Sequence, residues 1–310
     1  MGKCSAIQSE QGSAILLTLF LSAVIMTVGL GFSWLAREHV RTAEVLKIKT
    51  EAMVQARSAY EMLMYAVLTG KMTNDTVRFS SEGMALAGVA HLPLNGSEMV
   101  LLGDVVVSVQ DTNGLLSFSG GQVGILKQLM PMVTSGTSPE YFLEKYMDWM
   151  DPDNLVRING AERVDYQLES LPFKPRNYPL QYKEELLFIK GMTPEIYNQV
   201  APYLTLLPAS GFNPNTASVP ILKAYLGIDE RTAETLQKRV KQFPVITDQE
   251  LFALSGRKIA TTEGVYFFPS PWVEVTIKVG KPEFVYVLST GLDLRETLVS
   301  PYSILYWKEL

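Results

Sequence analysis

From Ser13 to Ala36 the chain runs 24 residues without Asp, Glu, Lys, Arg or His, and no other stretch restricts its folding as severely. As a helix this run reaches about 36 Å at 1.5 Å per residue, enough to cross a hydrocarbon core of roughly 30 Å with some tilt. The apolar region of a secretory signal peptide is roughly 7 to 15 residues and ends in a small-residue cleavage site, so this run reads as an anchor that stays. A buried core helix would carry polar positions. The helical pattern continues beyond Arg37: Val45, Ile48, Ala52, Ala56, Ala59, Leu63 and Ala66 recur at spacings of three and four, with Lys47, Glu51, Arg57 and Glu61 on other faces. No Pro or Gly interrupts Phe32 to Thr69. One helix of about 55 residues, roughly 80 Å long, is expected to end near Gly70.

At 310 residues the chain has material for about two domains beyond the anchor. A net charge of -5 argues against general affinity for nucleic acid. The single cysteine, Cys4, permits no intramolecular disulfide and leaves the redox compartment open. Lys3 precedes the apolar run, whereas Arg37, Arg41, Lys47 and Lys49 follow it. The positive-inside rule alone would therefore place the large part of the chain in the cytoplasm.

Past Gly70 the pattern changes. Asp104 to Gln110 alternates as a strand, with Val105, Val107 and Val109 on one face, and stops at the turn signal Asp111-Thr-Asn-Gly114. Further strand candidates lie far downstream, at Trp272 to Val279, Phe284 to Ser289 and Tyr302 to Lys308. An isolated hairpin is marginal, so the economical arrangement is one antiparallel sheet built from both ends of the globular sequence and laid on the helix. The intervening sequence reads as short helices: Leu126 to Val133, Pro139 to Met150, Lys183 to Lys190, Pro194 to Tyr203, Ile221 to Leu226, Glu230 to Lys241 and Asp248 to Leu254.

Two of these stretches repeat one pattern. Leu186 to Val200 and Leu222 to Leu236 each run helix, glycine (Gly191, Gly227), an apolar residue, then an N-cap (Thr193, Asp229) before the next helix. This looks like a helix-hairpin-helix, often a binder of the DNA backbone. Between Lys183 and Arg257, however, eight basic residues face eight acidic ones, and Asp229-Glu230 would repel phosphate at the second hairpin. An architectural role is the expectation. Enzymatic signatures are missing too. The fragment Thr69 to Thr73 is preceded by Tyr65 where a P-loop needs its first glycine. No G-x-S-x-G occurs, and His39 and His91 have no metal-ligand spacing with other His or Cys. Ser119 to Gly124 reads as a flexible junction.

The stretch Asp148 to Tyr166 places Asp148, Asp151, Asp153, Asn154, Glu162 and Asp165 within 18 positions, broken by Pro and Gly. Hard oxygen ligands on a bent loop suit calcium, which takes about six to eight of them. A solvated loop whose carboxylates cap neighbouring helices is the competing reading.

The layout resembles the type II secretion minor pseudopilin K (general secretion pathway protein K) family over nearly the whole chain. The resemblance is carried by QGSAILLTLFL at the start, by YMDWMDPDNLVRINGAERVDYQ and RNYPLQYKEELLFIKGMTPEIYNQVAPYLTLLP in the middle, and by NPNTASVPILKAYLGIDERTAETLQKRV later. It implies an α+β fold in which a pilin-like long N-terminal helix packs on an antiparallel sheet, with a large inserted all-α domain containing helix-hairpin-helix-like repeats. The implied divisions are a prepilin leader over 1–12, the transmembrane part of the helix over 13–36, pilin-like helix and first strands over 37–118, the helical insertion over 119–261, and the completing strands over 262–310. A prepilin peptidase would cut between Gly12 and Ser13, leave a methylated N-terminus and remove Cys4. The family orientation puts the globular part in the periplasm, on a single-pass anchor in the bacterial inner membrane, against the charge count.

The resemblance further implies a non-enzymatic subunit that caps the pseudopilus and helps initiate its assembly for export across the outer membrane. It implies calcium in the helical domain, for which the six residues above are the local supply. The implied partners are the I and J minor pseudopilins and other pseudopilins, met through the helix positions Val45, Ile48, Ala52, Ala56, Ala59, Leu63 and Ala66; no nucleic acid is expected. Pilin-like proteins normally carry Glu as the fifth residue of the processed chain, where this sequence has Leu17. The competing classes are a membrane-anchored helix-hairpin-helix DNA-binding protein and a stand-alone membrane-anchored periplasmic protein.

Overall fold

A computed structural model describes residues 8–79, 89–118, 123–134, 139–257, 264–281 and 284–310. The expected helix is present as α1 (Gln8–Thr69). The chain divides within it, at Gln55 and Ala56, into two compact units. In the first unit the large apolar side chains from Ile15 to Leu35 are exposed. Their segment is long and apolar enough to cross a membrane, and in water so many exposed apolar side chains would carry a large hydration penalty.

In the second unit the last turns of α1 bury Ala56, Ala59, Tyr60, Leu63, Met64 and Ala66. The helix stops at Gly70, whose N–H donates to Ala66 O at 2.9 Å. A Cβ there would stand 2.5 Å from Val77 Cγ1 and 2.7 Å from Ala66 O, so only glycine lets the chain turn this closely. Next come β1 (Lys71–Met72), β2 (Thr76–Arg78) and β3 (His91–Pro93), a small antiparallel sheet in that order. The hairpin β4 (Met99–Leu102) and β5 (Val105–Asp111) follows.

Between β5 and the C-terminal strands lie β6 (Leu116–Ser117), α2 (Val123–Val133), α3 (Pro139–Met150), α4 (Arg163–Leu168), α5 (Pro194–Val200), β7 (Leu204–Thr205), α6 (Val219–Leu226), α7 (Glu230–Val240) and α8 (Asp248–Ser255). β6 and β7 pair in parallel. These elements share one apolar cluster, centred on Leu126, Leu129, Tyr146, Tyr166, Leu186 and Ile221. The local caps follow the sequence pattern. Thr193, Asp229 and Thr247 accept N–H bonds at the starts of α5, α7 and α8, and Gly227, at φ 61°, ends α6 in the left-handed conformation.

The chain then completes the main sheet with β8 (Trp272–Lys281), β9 (Phe284–Asp293) and β10 (Ser303–Glu309), in the order β10-β9-β8-β5-β4, antiparallel throughout. The first and last parts of the globular sequence thus share one sheet. Alternation buries Val105, Val107 and Val109 with Val273, Val275, Ile277 and Val279 on one face. Where α1 meets β10, the Tyr60 and Trp307 rings stand edge to face at 5.0 Å, and Arg57 bonds Glu309 at 3.0 Å.

Some expectations are corrected. Lys183 to Lys190 is a 3-10 turn over Lys183–Phe188, not an α-helix. Glu185 folds back to accept the N–H groups of Gln181 and Tyr182 and pairs with Arg176 at 2.7 Å, which fixes a tight turn at the start of the segment. The helix expected over Pro194 to Tyr203 becomes α5 plus a 3-10 turn at Ala201–Tyr203. The junction at 119–122 and the far border near 261 lie outside the described residues.

Asp111-Thr-Asn-Gly114 is more than a turn. Asp111, Thr112 and Asn113 are fully buried. Asp111 Oδ1 accepts from the N–H groups of Asn113 (3.0 Å) and Ser270 (2.8 Å), and Oδ2 accepts from Asn213 Nδ2 (3.2 Å) and Thr216 Oγ1 (2.8 Å). Thr112 Oγ1 donates to Pro208 O, and Asn113 Oδ1 accepts from the N–H groups of Ser210 and Gly211. The end of β5, the return at 208–216 and the approach to β8 are therefore tied at one polar node. By its contacts, Ala56–Leu310 forms one compact unit.

Candidate metal centre

The acidic stretch begins on the last turns of α3 and runs through a loop to the start of α4. α3 presents Phe142, Tyr146 and Trp149 to the core, which carries Asp148 into a fully buried position. Past Met150, Pro152 ends the helix and the loop turns back. Gly160 lets it pass Asp148: a Cβ at that position would lie 1.9 Å from Asp148 Oδ2. α4 escapes sequence periodicity because it has six residues, with Val164 and Leu168 exposed. It starts on a capping box, Glu162 accepting from Arg163 N (3.3 Å) and Asp165 Oδ2 from Glu162 N (2.9 Å).

The structure divides the six candidate ligands. One carboxylate oxygen each from Asp151, Asp153 and Glu162 lies within 4.8 Å of the other two. Asp148 stands behind them and clasps the loop: its Oδ2 accepts from Arg157 N at 3.2 Å, and its Oδ1 is 3.2 Å from Arg157 Nε without hydrogen-bond alignment. Asp165 is engaged in the capping box. Asn154 Oδ1 accepts from Asn177 Nδ2 at 3.3 Å. Arg157 also reaches Asp151 Oδ2 at 2.7 Å.

The local electrostatics favour a cation. Burial pushes the Glu162 carboxyl up from its ordinary pKa, the charges of Asp148, Asp151 and Asp153 adding to it against the Arg163 N–H. Burial likewise pushes Asp148 up, with Asp151 adding and the backbone donors and Arg157 opposing. Asp148 Oδ1, Asp151 Oδ1 and Glu162 Oε1 are buried without a hydrogen-bond donor among the described residues. Arg157 pairs with Asp148 and Asp151, and with Asp153 and Glu162 beside them the loop keeps an excess of negative charge that a divalent ion would largely neutralise. Buried acceptors left without a donor cost free energy unless protonated or bound to a cation, and the converging oxygens of Asp151, Asp153 and Glu162 fit a hard cation. Arg157 was not singled out by sequence reasoning, although its place amid the acidic residues was the available signal.

The other predicted positions are distributed along α1. Gly12 and Ser13 lie within the helix by backbone, and their side chains are outside the described residues. Leu17 is exposed. Of the positions expected to meet partners, Val45 and Ile48 are exposed, Ala52 is buried, and Ala56, Ala59, Leu63 and Ala66 are buried in the chain's own globular unit. This last group is corrected: the apolar face beyond Gln55 is consumed by the protein's own core and is closed to another subunit.

Comparison with known proteins follows the same outline. Residues 113–209 match the family model for type II secretion system (T2SS) protein K. Type II secretion system protein K of Pectobacterium carotovorum is 28% identical over 150 residues, 44% of this chain and 45% of that protein. Its Pseudomonas aeruginosa counterpart is 24% identical over 250 residues, 74% and 72% of the two chains. A putative type II secretion system protein K of Escherichia coli K12 is 30% identical over 118 residues, 36% of each. The chain thus spans less than half the length of the Pectobacterium and K12 relatives it matches. Among solved structures, a chain of the GspK-GspI-GspJ complex from enterotoxigenic Escherichia coli superposes with a TM-score of 0.54 at 17% identity, covering 88% of this chain and 98% of that one. This likeness shows a shared α+β pilin-like fold.

Proposed function

We propose, from the premise that this chain belongs to the type II secretion system protein K family, that it caps the tip of the pseudopilus and helps initiate its assembly. Leu17 carries this reading. In a pilin-like shaft the Glu at this position pairs with the N-terminal amine of the subunit above. A leucine offers that amine nothing, and an unpaired buried charge costs several kcal/mol, so no subunit is favoured above this one. The bulk of the helical region, from α2 to α8, supports the same place at the end of a filament.

On this reading the chain is a non-enzymatic assembly subunit in the inner membrane. Its globular unit lies in the periplasm, after a prepilin peptidase has cut between Gly12 and Ser13. The I and J minor pseudopilins are its partners, by analogy with the GspK-GspI-GspJ complex. They would meet exposed positions of α1 such as Val45, Leu46, Ile48 and Val54. Calcium is the cation we propose for the acidic loop, with Asp151, Asp153 and Glu162 as ligands; when bound it would supply the positive charge that holds these carboxylates together. The DNA-binding alternative is disfavoured at the second hairpin, where the Asp229 carboxylate takes the Thr232 N–H at 2.8 Å and so occupies a donor that phosphate would need.

Labelling this protein in isolated pseudopili tests the placement. Signal confined to one end is expected, and signal distributed along the shaft overturns it. Edman sequencing of membrane-extracted protein should begin at position 13; an intact Met1 in cells containing prepilin peptidase would favour a stand-alone anchored protein.

A further inference from the structure

We infer that the cleft between the small sheet β1-β2-β3 and the C-terminal end of α7 binds a carboxylate-bearing segment of a partner protein. The cleft has a volume of about 380 Å³ and is lined by Arg78, His91 and Lys241 together with Asp75, Phe79 and Pro244. Its size falls at the small end of ligand-holding clefts, with room for a few side chains. Arg78, His91 and Lys241 come from separate elements. Arg78 on β2 and His91 on β3 are directly opposite in the antiparallel register, which puts their Cβ atoms about 4.5 to 5.5 Å apart on one face. Lys241 is the C-cap of α7 and approaches from the other wall.

Arg78 and Lys241 bring two positive charges to one cleft, where a counter-charge is favoured. Among the described residues, Arg78, His91 and Lys241 make no ion pair within the chain, whereas Lys183, Lys190, Lys223, Lys278 and Lys308 are each paired to a carboxylate. Among the described residues lining the cleft, Asp75 is the one acid. Its carboxylate acts on Arg78 across the cleft, but its single negative charge offsets only part of the field of Arg78 and Lys241. The remaining positive charge matches one carboxylate. Phe79 and Pro244 give the cleft an apolar wall, suited to the carbon atoms of a peptide. A phosphate dianion would meet Asp75's charge at full strength, which favours the weaker, single charges of Asp and Glu. The cleft is a property of this chain's own folding and holds whether or not the protein caps a filament.

The test uses the full chain in detergent micelles and a fluorescein-labelled tetraglutamate peptide, followed by fluorescence anisotropy at 0.15 M salt. The peptide should bind saturably, and its tetraglutamine counterpart should not. The double variant Arg78→Gln, Lys241→Gln should weaken binding about fivefold or more, with Lys174→Gln, an exposed lysine elsewhere, as the unaffected control. A thermal melt confirms that the double variant is folded; if it is not, Lys241→Gln alone should weaken binding about twofold. Absence of saturable binding, or equal loss in the Lys174 control, overturns the inference. So does binding of phosphatidylglycerol vesicles or inorganic phosphate that is as tight and equally sensitive to Arg78 and Lys241, which would assign the cleft to anions in general.

Discussion

Replacing Asp111 by an asparagine changes almost no volume and should nevertheless destabilise the protein severely. The carboxylate accepts four hydrogen bonds at a fully buried position. An amide can accept on one side only. If its NH2 group turns toward Asn113 N and Ser270 N, two backbone donors face a donor. If it turns toward Asn213 and Thr216, the Thr216 hydroxyl can rotate to accept, but the Asn213 amide cannot flip without losing the bond from Asn215 N to its Oδ1 at 3.0 Å. The second arrangement is cheaper and still loses one to two charge-assisted bonds, each worth about 1.5 to 3 kcal/mol. We expect a net loss of about 3 kcal/mol, reduced from the raw sum because the amide variant no longer desolvates a charge. For a unit of this size that lowers Tm by roughly 6 to 12 °C. Differential scanning calorimetry of the full chain in micelles measures the shift. Hydrogen exchange should show amides at 111–113, 208–216 and 268–270 losing protection together, because one node ties the three segments. A Tm within about 2 °C of the parent, or loss of protection confined to 111–113, would refute this account.

Protein stripped with chelator and returned to millimolar calcium should melt higher, by the equivalent of about 2.7 kcal/mol if calcium stands at a hundredfold its Kd, and Asp151→Ala with Asp153→Ala should abolish the shift; an unmoved parent curve removes calcium from the proposal. Gly160→Ala drives a methyl group into Asp148 Oδ2 and should cost about 2 kcal/mol by overpacking, measured by urea denaturation, with an unchanged midpoint as the contrary result. Asp293 is held below the usual carboxylate range, chiefly by the Arg295 guanidinium, with the Arg295 N–H and the Trp272 indole adding to it. Its folded pKa is therefore the lower one, so its stabilising contribution is complete above the unfolded value of about 3.9 and disappears as pH falls through the folded value. Asp293→Asn should flatten the acid limb of the stability curve below about pH 4, and a limb of unchanged steepness would contradict the assignment.

Much of the architecture is legible in local pattern. The apolar run, the three-and-four stripe and Gly70 delimit α1; valine alternation marks β5 and β8; Thr193, Asp229 and Gly227 punctuate the hairpins. Each signal is local because helix hydrogen bonds, caps and strand alternation depend on residues a few positions apart. The short strands β1 to β4, β6 and β7 are poorly legible. Two to four residues carry no period, and they become strands only where the fold supplies a partner.

Sequence by itself determined that this protein has a membrane-length apolar helix, a sheet assembled from distant segments and a helical insertion, since hydrophobic burial and backbone hydrogen bonding leave few other uses for such patterns. Tertiary structure alone decided how the acidic stretch divides. Asp151, Asp153 and Glu162 converge, whereas Asp148 is spent on the Arg157 loop, a choice set by where α3 stops and how Gly160 lets the chain return. It also decided that Ala56, Ala59, Leu63 and Ala66 face the protein's own core. An amphipathic stripe records that a face must be buried, and only the three-dimensional arrangement of the rest of the chain determines what buries it.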